Sequence, residues 1–221
     1  MLENFTNESL LNAIEYGYRE PAGFTNRLVL PFSGNPLHSG HINLMLHSIN
    51  NYGRIVNQNR PTAFQANYIN LSPAFELSKT NCDKPEISDL AIKVRVGTIT
   101  RAGFNVIVTN HPTFTQKNLL FRQSRFILGF DTLTRMLDLK HYYGSRELLL
   151  RNLTEGQNDY LIFPRGFNTK AMYEEAVEEE MNRFSDKPEF IARCIFVPFD
   201  SFKQNDISST QLRSQIKEFS E

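Results

Sequence analysis

Apolar residues recur along this chain with two periods. Short, mostly apolar runs have the length of strands buried on both faces: Arg27 to Phe32 (RLVLPF), Ala74 to Lys79 (AFELSK), Asn105 to Thr109 (NVIVT), Arg125 to Phe130 (RFILGF), Tyr160 to Phe163 (YLIF) and Ile191 to Val197 (IARCIFV). Between them the apolar positions fall three and four apart, the spacing of one helical face. From Gly40 onward that spacing places Ile42, Met45, Leu46 and Ile49 together, and further helices are predicted near Ser88–Ala102, Thr115–Phe121, Thr132–Leu139, Ser145–Leu153 and Thr169–Phe184. In the last of these, Ala171, Ala176, Val177, Met181 and Phe184 form the inward face, and Glu174, Glu175, Glu178, Glu179 and Glu180 read as a solvated acidic face rather than metal ligands. Asn7 to Arg19 reads as an amphipathic helix ahead of the first strand, Asn57 to Ser72 as an irregular loop, and Leu212, Ile216 and Phe219 as the buried face of a closing helix.

Strands alternating with helices mean βαβ units, and right-handed crossovers then give an α/β fold with a mostly parallel sheet covered on both faces. The expectation is one domain over residues 1–221, with 1–26 as a helical extension. In such sheets ligands bind at the carboxyl ends of the strands. Ser33 to His41, Asn81 to Lys84, Asn110 to Thr113, Gly129 to Asp131, Arg165 and Ser208 to Arg213 all follow predicted strands.

The first of these segments, Asn35-Pro36-Leu37-His38-Ser39-Gly40-His41, lies at a strand-to-helix turn. A helix N-terminus offers unpaired N–H groups and partial positive charge, which suit phosphate oxygens. Gly40 has no side chain to keep a phosphate from the backbone, and His38 and His41, three apart, fall on one side of the first turn. Two imidazole donors would face one anion. The alternative is a turn histidine and a helix-start histidine with no ligand. A zinc site would need three or four ligands, and no Cys or His lies at a spacing that completes one.

Near the other end, Ile207-Ser208-Ser209-Thr210-Gln211-Leu212-Arg213 sets three hydroxyls before a helix-period segment, with a guanidinium one turn later. Helix capping accounts for one hydroxyl. Three, followed by an arginine, suit the oxygens of a phosphate chain.

Together, N-P-x-H-x-G-H after the first long strand and I-S-S-T-x-x-R near the C-terminus resemble the HxGH nucleotidyltransferase superfamily, and most closely its nicotinamide and nicotinate mononucleotide adenylyltransferases. Phe126-Ile127-Leu128-Gly129-Phe130-Asp131-Thr132 is similar to that family's strand ending in G-x-D, which lines the nucleotide ribose pocket. The resemblance runs from about Arg27 to the C-terminus. Where the family carries a glycine-rich lead-in, this chain has Pro31-Phe32-Ser33-Gly34-Asn35-Pro36; proline removes a backbone donor, while Ser33 and Asn35 keep the polar positions. Phe75 to Pro85 (FELSKTNCDKP) resembles a divergent subgroup of adenylyltransferase-like proteins.

The resemblance implies a Rossmann-like α/β/α sandwich of nucleotidyltransferase type. It also implies transfer of an adenylyl group from ATP to a mononucleotide phosphate, NMN or nicotinate mononucleotide, with release of pyrophosphate in NAD biosynthesis. His38, His41 and Arg213 would be catalytic. Ser33, Gly34, Asn35, Gly40, Gly129, Asp131, Arg165, Ser208, Ser209 and Thr210 would hold ATP, with Mg²⁺ bridging the phosphates and no protein metal cage. Lys84, Thr113, Phe114 and Lys117 would meet the acceptor. Each softer candidate has a plainer reading: Asp131 as a helix cap, the lysines as solvated surface groups, Arg165 as a surface turn, Phe114 as core. Phosphopantetheine or another phosphorylated acceptor, CTP as donor, or a nucleotide binder without transfer activity are the competing functions.

Composition constrains this picture mainly by exclusion. Twenty-four basic and 24 acidic residues give no electrostatic case for a nucleic-acid partner. The start, MLENFTNESLL, lacks the charged and apolar regions of a signal peptide, and no stretch approaches a membrane span, so a cytoplasmic location without a membrane partner is expected. Cys82 and Cys194 are expected as reduced thiols, and the N-x-S/T triplets at Asn4, Asn7, Asn70 and Asn152 then carry no glycosylation meaning. A homo-oligomer is left open.

Overall fold

The computed structural model describes residues 14–16, 24–33, 35–59, 71–80 and 85–202. Seven described strands form one sheet: β1 (Ile14–Tyr16), β2 (Arg27–Phe32), β3 (Ser72–Ser78), β4 (Asn105–Thr109), β5 (Arg125–Gly129), β6 (Asp159–Phe163) and β7 (Cys194–Phe196). Their spatial order is β1-β4-β3-β2-β5-β6-β7. All neighbours pair in parallel except β1, which runs antiparallel to β4 with Glu15 opposite Ile107. The described helices are α1 (Ser39–Asn59), α2 (Asp89–Arg101), α3 (Phe114–Leu120), α4 (Phe130–Met136), α5 (Arg146–Glu155), α6 (Lys170–Arg183) and α7 (Pro188–Ile191). The chain is a Rossmann-like α/β/α sandwich.

Alternation along the strands builds two cores. Leu28, Leu30, Phe75, Leu77 and Val106 face α1 and α2, where Met45, Tyr52, Ile55, Ile92 and Ile99 close the layer. Val29, Ala74, Ile107, Phe126 and Leu128 face the other way, against Leu120, Leu133, Leu149, Tyr173 and Phe190 of α3 to α7. No helix among the described residues is long and apolar enough to cross a membrane.

The strand order makes β2 the point from which the chain winds first one way, through β3 and β4, and then the other, through β5 to β7. β2 pairs with β3 over its whole length, from Arg27 opposite Ser72 to Phe32 opposite Leu77. With β5 it pairs only at Leu28 and Val29. The ladder between the two central strands ends at Val29, and their carboxyl ends flank the topological switch point, the place where sheets of this kind bind ligands. Pro31 lies past that end, so its missing N–H removes no bond from the β2–β5 ladder.

Several expected elements differ. Ile14–Tyr16, assigned to an amphipathic helix, is an edge strand; an open flank on β4 provides a backbone partner that no local pattern reveals. Ile191 closes the short helix α7, and the last strand begins only at Cys194, because Pro188 starts a helical turn. On α1 the buried residues are His41, Leu44, Met45, Ser48, Tyr52 and Ile55, whereas Leu46 and Ile49 are exposed. On α6 the buried side is Tyr173, with Ala176, Val177 and Glu180 half-buried beside it, while Ala171 and Met181 are exposed. Glu180 is therefore not fully solvated: burial pushes its carboxyl above the usual carboxylate range, against the pull of Arg183 at 3.5 Å. Cys194 is a free thiol raised by burial. Cys82 and the closing helix lie outside the described residues.

Candidate functional site

Two polar constructions occupy the carboxyl rim of the sheet. The first begins where β2 ends. His38 is the residue before α1 and acts as its cap: its carbonyl accepts from Ile42 N–H at 3.3 Å, and its Nδ1 accepts from Gly40 N–H at 3.1 Å. The Gly40 amide is thus taken by His38 rather than left open. Because Nδ1 accepts a hydrogen bond, the neutral ring carries its proton on Nε2. That nitrogen is buried with no partner among the described residues, as is Nδ1 of His41.

The two rings stack at 3.8 Å between centroids with a 34° tilt, and Phe32, from the end of β2, presents its ring to His41 at 5.0 Å. His38 is 9% exposed and His41 7%. Burial, then the charge of Arg165, lowers the His38 pKa below the ordinary imidazole value. Burial, then His38, then Arg165 push His41 down to about 3. Both are neutral at physiological pH.

Arg165 follows β6 and is exposed, and its side chain lies across Gly129 at the end of β5. A Cβ at Gly129 would come within 3.1 Å of Arg165 Cδ and 3.2 Å of its Cβ, and would strike the Asp131 carboxylate. Glycine is required there for space, since its φ of −75° is open to any residue. Its bare face seats Arg165, where the sequence suggested a ribose. Asp131 is not a cap: it lies in the first turn of α4 and meets Arg135 at 3.4 Å. On the α1 side, Ser33 is half-buried and Asn35 exposed, and the Asn35–Pro36 peptide is cis. Arg95 of α2 donates to the Ser33 carbonyl at 2.6 Å.

The second construction lies at the ends of β3 and β4. Glu76, 1% exposed in the middle of a buried strand, accepts from Lys117 Nζ at 2.6 Å and from Thr109 Oγ1 at 2.5 Å through one carboxylate oxygen. Lys117 is 5% exposed. It is neither a solvated lysine nor a free cation for an acceptor phosphate, because its charge is neutralised inside the fold. Thr113 caps α3 in a reciprocal box with Gln116, so its hydroxyl is also engaged. Phe114 packs into the core, 5.7 Å from Phe126. These three proposed acceptor contacts hold α3 in place. His111 borders the cluster with Nδ1 buried and without a partner among the described residues, and burial, with Lys117, lowers its pKa.

Of the sequence-derived candidates, the fold gathers His38, His41, Gly129, Asp131 and Arg165 around one crevice, with Ser33, Asn35 and Gly40 on the loop that enters it. Gly34, Lys84, Ser208, Ser209, Thr210 and Arg213 lie outside the described residues. Three further participants escaped the sequence reading. Glu76 left a signal, a lone acid inside a run of buried strand residues. Arg95 left none, since its partner is 62 positions away, and Phe32 was hidden among eighteen phenylalanines. No group of three or more potential metal ligands occurs among the described residues.

Fold and site together define an α/β protein with a buried histidine pair and an arginine at the switch point of a doubly wound sheet. No protein-family model matches the sequence, and no curated protein matches it.

Proposed function

We propose that this protein is a nucleotidyltransferase that binds ATP in the switch-point crevice and transfers its adenylyl group to the phosphate of a nicotinamide or nicotinate mononucleotide-like acceptor. One observation carries the reading: two stacked, neutral imidazoles at the N-terminus of a 21-residue helix, with buried ring nitrogens unpartnered and Arg165 acting on both. An unpartnered buried donor costs about 1–3 kcal/mol, which an anion accepting from it would recover. His38 Nε2–H is such a donor. A phosphate beside Arg165 would also find a guanidinium with no ion pair of its own among the described residues.

In the reaction an oxygen of the acceptor phosphate bonds to the α-phosphorus, the bond from that phosphorus to the bridging oxygen breaks, and pyrophosphate leaves with the electron pair. The attacking group is already an anion, so catalysis rests on positioning and charge stabilisation. His41 would hydrogen-bond the α-phosphate as it becomes five-coordinate, and His38 the neighbouring phosphate. Ser208, Ser209, Thr210 and Arg213 would grip the departing phosphates. Mg²⁺ would be held by the phosphates themselves rather than by a protein cage.

Lys117, Thr113 and Phe114 are committed to the fold, which favours keeping phosphopantetheine or another phosphorylated acceptor as the second reading. The balanced charge gives no electrostatic support for a nucleic-acid partner.

The test is pyrophosphate release from ATP and Mg²⁺ with NMN, nicotinate mononucleotide, phosphopantetheine or no acceptor, beside His41→Ala. Release that depends on either mononucleotide and falls about a hundred-fold or more in the variant is the expected result. Release with phosphopantetheine alone would transfer the proposal to that acceptor. No release with any of them would reject transfer to these acceptors.

A further inference from the structure

The loop from Ser33 into α1 carries the histidines, yet a residue from a different helix reaches it. Arg95, half-buried on α2, donates Nη1 to the Ser33 carbonyl at 2.6 Å, across 62 residues of sequence. α2 is itself fixed to the rim. Ile87 N–H donates to the Lys79 carbonyl at 2.9 Å just past β3, and Lys79 Nζ meets Asp89 at 2.8 Å and Glu86 at 3.4 Å. Lys79 N–H in turn donates to the Thr109 carbonyl at 2.7 Å at the end of β4. The exit of β2 is thus tied through Arg95 and α2 to the exits of β3 and β4.

We propose that Arg95 is a positioning residue of the phosphate crevice, acting through the Ser33 carbonyl. β2 loses its β5 neighbour after Val29, and proline occupies positions 31 and 36, each without a backbone donor. Phe32 is the last residue of β2 in register with β3, so past it the sheet ladders no longer define the path of the chain. A charge-assisted hydrogen bond at Ser33 fixes that path two residues beyond Pro31 and five before His38. It also places a guanidinium on the α2 side of the crevice, with Arg165 on the β6 side. A lysine ammonium on a shorter, flexible stem can donate to the carbonyl but holds it less rigidly. The reading of the crevice as a triphosphate site is assumed here, but the position of the loop is not.

The experiment uses the full chain as wild type, Arg95→Ala and Arg95→Lys, with Arg101→Ala at the end of the same helix as a control. Equilibrium titration with ATP and Mg²⁺ is paired with NMR of the His38 and His41 ring nitrogens without nucleotide. Arg95→Ala should shift both ring signals and weaken ATP about ten-fold or more, the effect of one charge-assisted hydrogen bond. Arg95→Lys should recover only part, Arg101→Ala should match wild type, and added guanidinium should restore affinity to Arg95→Ala alone. If wild type fails to bind ATP but the ring signals still shift in Arg95→Ala, the triphosphate reading falls and the positioning role stands. Unmoved ring signals or, where wild type binds ATP, an Arg95→Ala affinity equal to it would overturn the positioning role.

Discussion

The ends of β3 and β4 and the switch point between β2 and β5 both bury polar side chains and treat them in opposite ways. At the first, Glu76, Lys117 and Thr109 satisfy one another within 2.6 Å. At the second, His38 and His41 stack with one nitrogen of each ring, Nε2 and Nδ1, buried and without a partner among the described residues, where Arg165 also lies without a counter-ion. Burial alone therefore does not identify a functional group. A closed network holds elements in place, while an open one at a switch point has capacity left for a ligand.

The largest test of that contrast falls on the closed network. Lys117→Met leaves the Glu76 carboxylate buried without its cation and should lower unfolding stability by about 3–5 kcal/mol in chemical denaturation. Glu76→Leu combined with Lys117→Met removes both charges and should regain most of the loss. Equal damage from the single and double variants would mean that packing, rather than charge compensation, dominates there.

The open site is tested by pH. Burial first, then His38 and Arg165, depress His41 from 6.5 to about 3 in the folded protein. Between those values the unfolded chain binds the additional proton, so the stability contributed by neutral His41 is complete above about pH 6.5 and is lost progressively as pH falls towards 3. Pyrophosphate or ATP in the crevice should raise the His41 pKa, because an anion favours the imidazolium. NMR titration of the ring with and without pyrophosphate measures both; an unliganded value near 6.5 would erase the distinction between the two regions.

A smaller effect is expected at Gly129. Alanine there presses on the Arg165 side chain and should move the guanidinium away from the histidines, raising the His41 pKa slightly and weakening ATP about ten-fold, the equivalent of one charged contact. Unchanged binding would mean that Arg165 yields without leaving the site. Smallest of all, Leu46→Gln and Ile49→Gln on the exposed side of α1 should change stability by no more than about 0.5 kcal/mol. A loss of several times that would show these two residues to be covered in solution.

The histidine pair and the order of the parallel elements were legible before folding, because both are local. His38, Gly40 and His41 share one helical turn, and a strand buried on both faces shows itself as a short apolar run. Faces and partners were less legible. Leu46 and Ile49 have the spacing of a buried stripe, yet the sheet lies a fraction of a turn away and takes Met45 and Ser48 instead. Periodicity reports that a stripe exists, while the position of the neighbouring layer decides which residues it contains.

By itself, the sequence determined the α/β class, the strands β2 to β6, the helices between them and the place of the histidines at a strand-to-helix turn. The patterns concerned span only a few residues, so short-range sterics and local burial are enough to specify them. Only the tertiary structure decided that Ile14–Tyr16 is an edge strand, that Lys117 belongs to Glu76, that Gly129 makes room for Arg165 and that Arg95 holds Ser33. Each of these depends on groups dozens of positions apart being carried to one rim by crossover connections. The energy of such a contact exists only once the chain has closed around it.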